Sequence, residues 1–171
     1  MTEEELIRQM PISDRVMLGA VAGLGGNLVK NTIMDIMQRL NLAEFGVPAR
    51  AAGILVPGYK IGQRKGKAVG FLADNIMALT LGTGITYLLT FSGSDRSVVK
   101  GTFAGAMLWA ALYGAAFQLG ATKIDQVPAE TALCELVAHI GFGATAAAIA
   151  SGLGDPRLFQ GTLRLGDERE I

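Results

Sequence analysis

The sequence predicts an all-α chain folded as an integral membrane bundle of about four transmembrane helices. Three observations carry that expectation. Runs of Leu, Ile, Val, Ala, Met and Gly are separated by charged clusters at residues 1–15, 35–67, 95–100, 123–135 and 155–170. Four of the runs reach about 20 residues, which spans a hydrocarbon core of about 30 Å at about 1.5 Å per residue. Finally, Gly101–Leu119 and Ile140–Leu153 carry no charge on any face, whereas the helices of a soluble bundle show a polar side.

The first helix is expected over about 14–40, opened by Ser13 as N-cap just after Pro11. It is the weakest span. Its uninterrupted apolar run, Val16–Val29, is short, and Lys30 and Asp35 follow. Lys30 can snorkel, and Ile33, Met34, Ile36 and Met37 continue the apolar character. The second helix is expected over about 66–91, ended by Ser92-Gly93-Ser94-Asp95. The third runs over about 97–119, ended by Gly120. The fourth runs over about 128–153, with Pro128 near its first turn and Gly154-Asp155-Pro156 as the stop. Residues 41–63 form the longest connector, punctuated by Gly46, Pro48, Gly53, Pro57 and Gly58. Its apolar piece Ala51–Val56 is too short to span and suits the interface or a return into the protein. The whole of 1–171 reads as one membrane domain.

Composition excludes several classes. With 15 Lys+Arg against 15 Asp+Glu there is no basic excess, so nucleic acid is not an expected partner. The hydrophobic fraction of 50% does not by itself decide between membrane and soluble protein; the distribution does. The single Cys134 has no intrachain disulfide partner. The acidic start Met1-Thr-Glu-Glu-Glu lacks signal-peptide character, and the first helix is expected to be retained. Gly141-Phe-Gly-Ala-Thr-Ala146 matches a dinucleotide fingerprint only in letters, since no strand precedes it. No nucleophile–base pair, phosphate loop or Cys pair is present. No cofactor and no enzymatic activity are expected. Trp109 and Tyr113 read as packing residues, and Tyr87 with Phe91 as part of an aromatic belt.

Small and polar residues recur at four-residue spacing. Helix one reads Gly19, Gly23, Asn27, Asn31, Asp35. Helix two reads Gly62, Gly66, Gly70, Asp74, Ala78, Gly82. Helix three holds Gly101 and Gly105, and separately Ala106, Ala110, Gly114 and Gln118. Helix four reads Glu135, His139, Gly143, Ala147, Ser151. Such ridges wind about 40° per step and suit crossing helices. Small residues let membrane helices approach closely, so Gly19, Gly23, Gly66, Gly70, Gly101, Gly105 and Gly143 are the expected packing positions. A charge facing lipid costs several kcal/mol, so Asp35, Asp74, Glu135 and His139 are expected to point inward.

With four spans these groups fall on the order of 10 Å inside one membrane face. Asn31, Asn75, Tyr113 and Gln118 fall near the same level. The expected polar layer is therefore Asn31, Asp35, Asp74, Asn75, Glu135 and His139. Three readings stay open for it: cross-helix hydrogen bonds that fix register, a polar cavity for a solute, ion or proton, and a metal site around Glu135 and His139 at i, i+4. Orientation is not settled, because seven basic residues fall on each side of the expected topology.

Several short motifs in order carry a resemblance: Gly26-Asn-Leu-Val-Lys-Asn31, Leu88-Leu-Thr-Phe-Ser-Gly-Ser-Asp95, Lys100-Gly101, Leu112-Tyr-Gly114 and Gly154-Asp-Pro-Arg-Leu-Phe159. Over about residues 16–160 the chain resembles uncharacterised small four-span membrane proteins of spore-forming Gram-positive bacteria. The resemblance implies four spans and transfers no activity or site. The expectation is thus a multi-pass protein of the bacterial inner (plasma) membrane, in contact with the lipid bilayer. It is expected to be non-enzymatic and self-associating (a homo-oligomer) or a subunit beside other membrane proteins. The alternative is a small transporter or channel that uses the polar layer.

Overall fold

The computed structural model describes residues 11–44, 46–118 and 128–161. They are helical, without a strand among them. Four long helices, α1 (Arg15–Arg39), α4 (Arg64–Ser92), α5 (Ser97–Gln118) and α6 (Ala129–Leu153), are joined by connectors. The first connector holds two short helices, α2 (Val47–Leu55) and α3 (Gly58–Ile61). A 3₁₀ turn, Pro156–Phe159, follows α6. Of the four long helices, α4 and α6 are both long enough and apolar enough to cross a membrane.

Local chemistry sets the boundaries. The N-cap of α1 is Asp14 rather than the expected Ser13: its Oδ1 accepts from the Met17 backbone N–H at 2.6 Å. Arg64 begins α4, two residues before Gly66, and the left-handed Gly93 (φ 82°) ends it. Lys100 then completes that terminus by donating to the carbonyls of Ser92 and Gly93 and pairing with Asp95. Pro128 is the N-cap of α6 and Gly154 its C-cap. Ile12 ties the start of α1 to the end of α6, donating to Leu153 O and accepting from Asp155 N–H.

Spatial order departs from chain order. The helices stand as a row, α4–α1–α6–α5, in which α1 lies between α4 and α6 and α5 rests on α6. Though consecutive, α4 and α5 touch little. The row is tight because backbones meet. A Cβ on Gly23 would strike the Ala78 carbonyl, and one on Gly82 would strike Gly23 Cα, so α1 and α4 cross there without side chains between them. Gly101, Gly105 and Gly143 do the same for α5 and α6. Gly19 faces Thr83. Gly66 and Gly70 instead receive the backbone of the connector, at Lys60 and Pro48.

Two apolar clusters fill the row. The larger joins Leu18, Ala22, Ile85, Leu89, Phe142 and Ala146 with Leu158 and Phe159 of the 3₁₀ turn. The smaller joins Met34, Ala43, Cys134 and Ala138. Outward faces are apolar too: Leu24 and Leu28 on α1, Leu72 and Ile76 on α4, Phe103 and Met107 on α5, Leu133 and Val137 on α6 are exposed.

Candidate functional site

Between the two apolar clusters lies a polar layer. Along α1 the buried residues read Leu18 and Ala22, then Asn27 and Lys30, then Met34. The helix repeat puts Asn27, Lys30 and Asn31 on one face, at i, i+3 and i+4. That face meets Asp74 of α4. Lys30 Nζ lies 2.6 Å from Asp74 Oδ1. Asp74 Oδ2 accepts from the side-chain amides of Asn27 and Asn31, each at 2.9 Å. Asn27 also donates to Asn75 Oδ1 at 3.3 Å, while Asn75 donates to the Phe71 carbonyl one turn back. The ring of Phe142 lies 5.9 Å from the Lys30 ammonium and closes the site on the α6 side.

A second group sits where α2 meets α6. Arg50 Nε donates to Glu135 Oε1 at 3.0 Å and its Nη2 lies 2.9 Å from the same oxygen. Glu135 is 1% exposed. His139 Nδ1 donates to the Glu135 carbonyl at 2.7 Å, which fixes the Nδ1-protonated tautomer when the ring is neutral. The connector is stitched to the same helix: Glu44 N–H donates to Thr131 Oγ1, and Cys134 Sγ lies 3.5 Å from the Leu42 carbonyl.

Of the six residues expected in the layer, Asp74, Glu135 and His139 are buried, and Asn31 and Asn75 are half-buried beside Asp74. Asp35 is not part of it. It is exposed and pairs with Arg39 at 2.9 Å, one turn along the same helix. The reason is depth: Asp35 is four residues from the end of α1, about 6 Å, whereas Asp74 is ten residues into α4, about 15 Å. Lys30 does not snorkel; its partner lies inside the protein. The side chains of Tyr113 and Gln118 lie outside the described residues.

Sequence reasoning passed over Asn27, Lys30 and Arg50 as partners in the layer. For Lys30 a signal was present, since it shares a helical face with two asparagines. For Arg50 the signal was a lone charge within the otherwise apolar Val47–Leu55.

Among the described residues the layer sets two basic side chains, Lys30 and Arg50, against two carboxyl groups, Asp74 and Glu135. Among the described residues no group of three or more His, Cys, Asp and Glu is placed to hold a metal ion. A cavity of about 370 Å³ opens beside the layer, lined by Asn31, Met34, Asp35, Gln38, Gly46, Pro48 and Ala49. Compared with protein families, curated proteins and solved structures, the chain matches none.

Proposed function

We propose that the chain is a multi-pass protein of the bacterial plasma membrane that acts without covalent chemistry, as a self-associating scaffold or as a subunit of a larger membrane assembly. The carrying observation is the pairing inside the polar layer. Lys30 is matched by Asp74 and Glu135 by Arg50, so the layer binds helices and connector to one another. Buried pairs of this kind add little net stability; the role we infer for them is to fix which faces of α1, α4, α2 and α6 meet. That is what an assembly component needs from its interior.

The membrane reading draws on three features. The outward faces of all four long helices carry exposed apolar side chains. Two helices satisfy length and apolarity outright, and the 22 residues of α5 contain one charge, Lys100. In α1 the Lys30 charge is cancelled within the protein, and Asp35 lies near the helix end, so α1 can cross as well. Alkaline carbonate extraction tests the membrane reading, since a four-span protein stays in the pellet. Crosslinking in native membranes tests the assembly reading. Recovery of monomer alone would count strongly against it.

A second reading, a transporter or channel, is favoured by one observation: the cavity touches Asn31, whose amide also reaches Asp74. Proton or cation flux in liposomes that Asn31→Leu abolishes would support it. No flux across a panel of ions would leave the layer as architecture.

A further inference from the structure

The connector between α1 and α4 is strongly asymmetric in charge. Between Glu44 and Asp74 there is no Asp or Glu, but there are Arg50, Lys60, Arg64, Lys65 and Lys67. Arg50 turns inward to Glu135. The other four are exposed, and none pairs with a carboxylate among the described residues. Exposed apolar side chains stand among them: Ile54, Leu55 and Tyr59, the last 76% exposed. Lys60 Nζ lies 5.6 Å from the Tyr59 ring centroid.

This surface is held in shape. The Lys60 carbonyl packs directly on Gly66 and the Pro48 carbonyl on Gly70, each where a Cβ would stand. Ala51 and Ala52 are buried, so α2 lies against α4 on one face and presents Ile54 and Leu55 on the other. At the other end of the long helices Lys100 is engaged by Asp95 and two carbonyls, and the exposed bases among the described residues are Arg96 and Arg157.

We propose that α2, α3 and the first turn of α4 form a docking platform for anionic phospholipid headgroups. Lys60, Arg64, Lys65 and Lys67 gather the phosphates, while Ile54, Leu55 and Tyr59 enter the interface. The proposal rests on the membrane reading above. Mixed chemistry selects lipid over a soluble anion, because a free anion gains nothing from exposed Ile54 and Leu55, whereas a bilayer surface takes both kinds of side chain. Among the described residues, four exposed bases without a carboxylate partner stand at the connector end against Arg96 and Arg157 at the other, which favours the connector on the more anionic leaflet.

The test uses the full chain, purified in a neutral detergent and reconstituted in phosphatidylcholine vesicles containing phosphatidylglycerol. Extraction and native mass spectrometry then count the lipids retained. Wild type is expected to retain phosphatidylglycerol over phosphatidylcholine. A variant with Lys60→Gln, Arg64→Gln, Lys65→Gln and Lys67→Gln should lose about tenfold or more of that preference. A variant with Lys60→Arg, Lys65→Arg and Lys67→Arg should keep it. Helix content by circular dichroism confirms that each variant is folded. Equal retention of the two lipids, or undiminished preference in the Gln variant, overturns the proposal. So does displacement of the lipid by inorganic phosphate, which would mark a free-anion site. Failure of the chain to partition into vesicles at all would instead overturn the membrane reading.

Discussion

Lys30 of α1 and Asp74 of α4 form an ion pair of 2.6 Å, with side chains 7% and 3% exposed, at the crossing that also brings in Asn27 and Asn31. Coulomb attraction at such depth is large, but so is the cost of taking both charges out of water, and the two nearly cancel. Removing one partner does not cancel. Asp74→Leu leaves a buried ammonium facing two amides and is expected to cost about 3–5 kcal/mol. The double variant Lys30→Met, Asp74→Leu is expected to regain most of that loss. Thermal unfolding in detergent of the two singles and the double, read as a double-mutant cycle, checks it.

The glycine crossings give a sharper contrast. A Cβ at Gly82 meets the backbone of Gly19 and Gly23, while a Cβ at Gly84 meets nothing within 4 Å. Gly82→Val should therefore separate α1 from α4 and cost about 3 kcal/mol or more, since backbone gives way less than side chains do. Gly84→Ala should be neutral or stabilising by up to about 1 kcal/mol, through helix propensity. Apparent melting temperatures of the two variants, which differ by two positions on one helix, separate packing from propensity.

The Arg50–Glu135 pair joins α2 to α6, and Cys134 lies next to it, buried beside the Leu42 carbonyl. Arg50→Ala removes a hydrogen bond between charged groups, worth about 1.5–3 kcal/mol. The connector should then open more often. Maleimide labelling of Cys134 is expected to quicken by about tenfold or more in the variant, with global unfolding affected less. Unchanged labelling would mean that the Glu44–Thr131 hydrogen bond and the packing of Ala52 against Gly70 hold the connector without Arg50.

Lys100 completes the C-terminus of α4 through the carbonyls of Ser92 and Gly93. Lys100→Met keeps the aliphatic stem and removes the donor. The expected loss is about 1 kcal/mol, with faster amide hydrogen exchange confined to the last turn of α4 and the first turn of α5.

The positions of the long helices were legible because their boundaries rest on local chemistry: Pro128, Gly93 and Gly154 act within a turn of themselves. The buried status of Asp74, Glu135 and His139 was legible because each shares a helical series with small residues. Their partners were not. That Lys30 answers Asp74 depends on how far α1 and α4 slide along one another, which no single helix encodes. Arg50 was hidden for a different reason. Its role depends on a nine-residue helix folding back across α4, a tertiary event set by the close approach of Pro48 to Gly70. Asp35 went the other way, because helical spacing alone cannot tell the last turn of a helix from its middle.

The row order α4–α1–α6–α5 also has a consequence for synthesis. The central helix, α1, is made first and is the least apolar of the four. Its ammonium group must wait 44 residues for Asp74, and the Phe142 ring that covers it arrives later still. On the membrane reading, α1 therefore leaves synthesis with its ammonium uncompensated, and a chain truncated before α4 is expected to hold α1 less firmly in the bilayer than the full chain does.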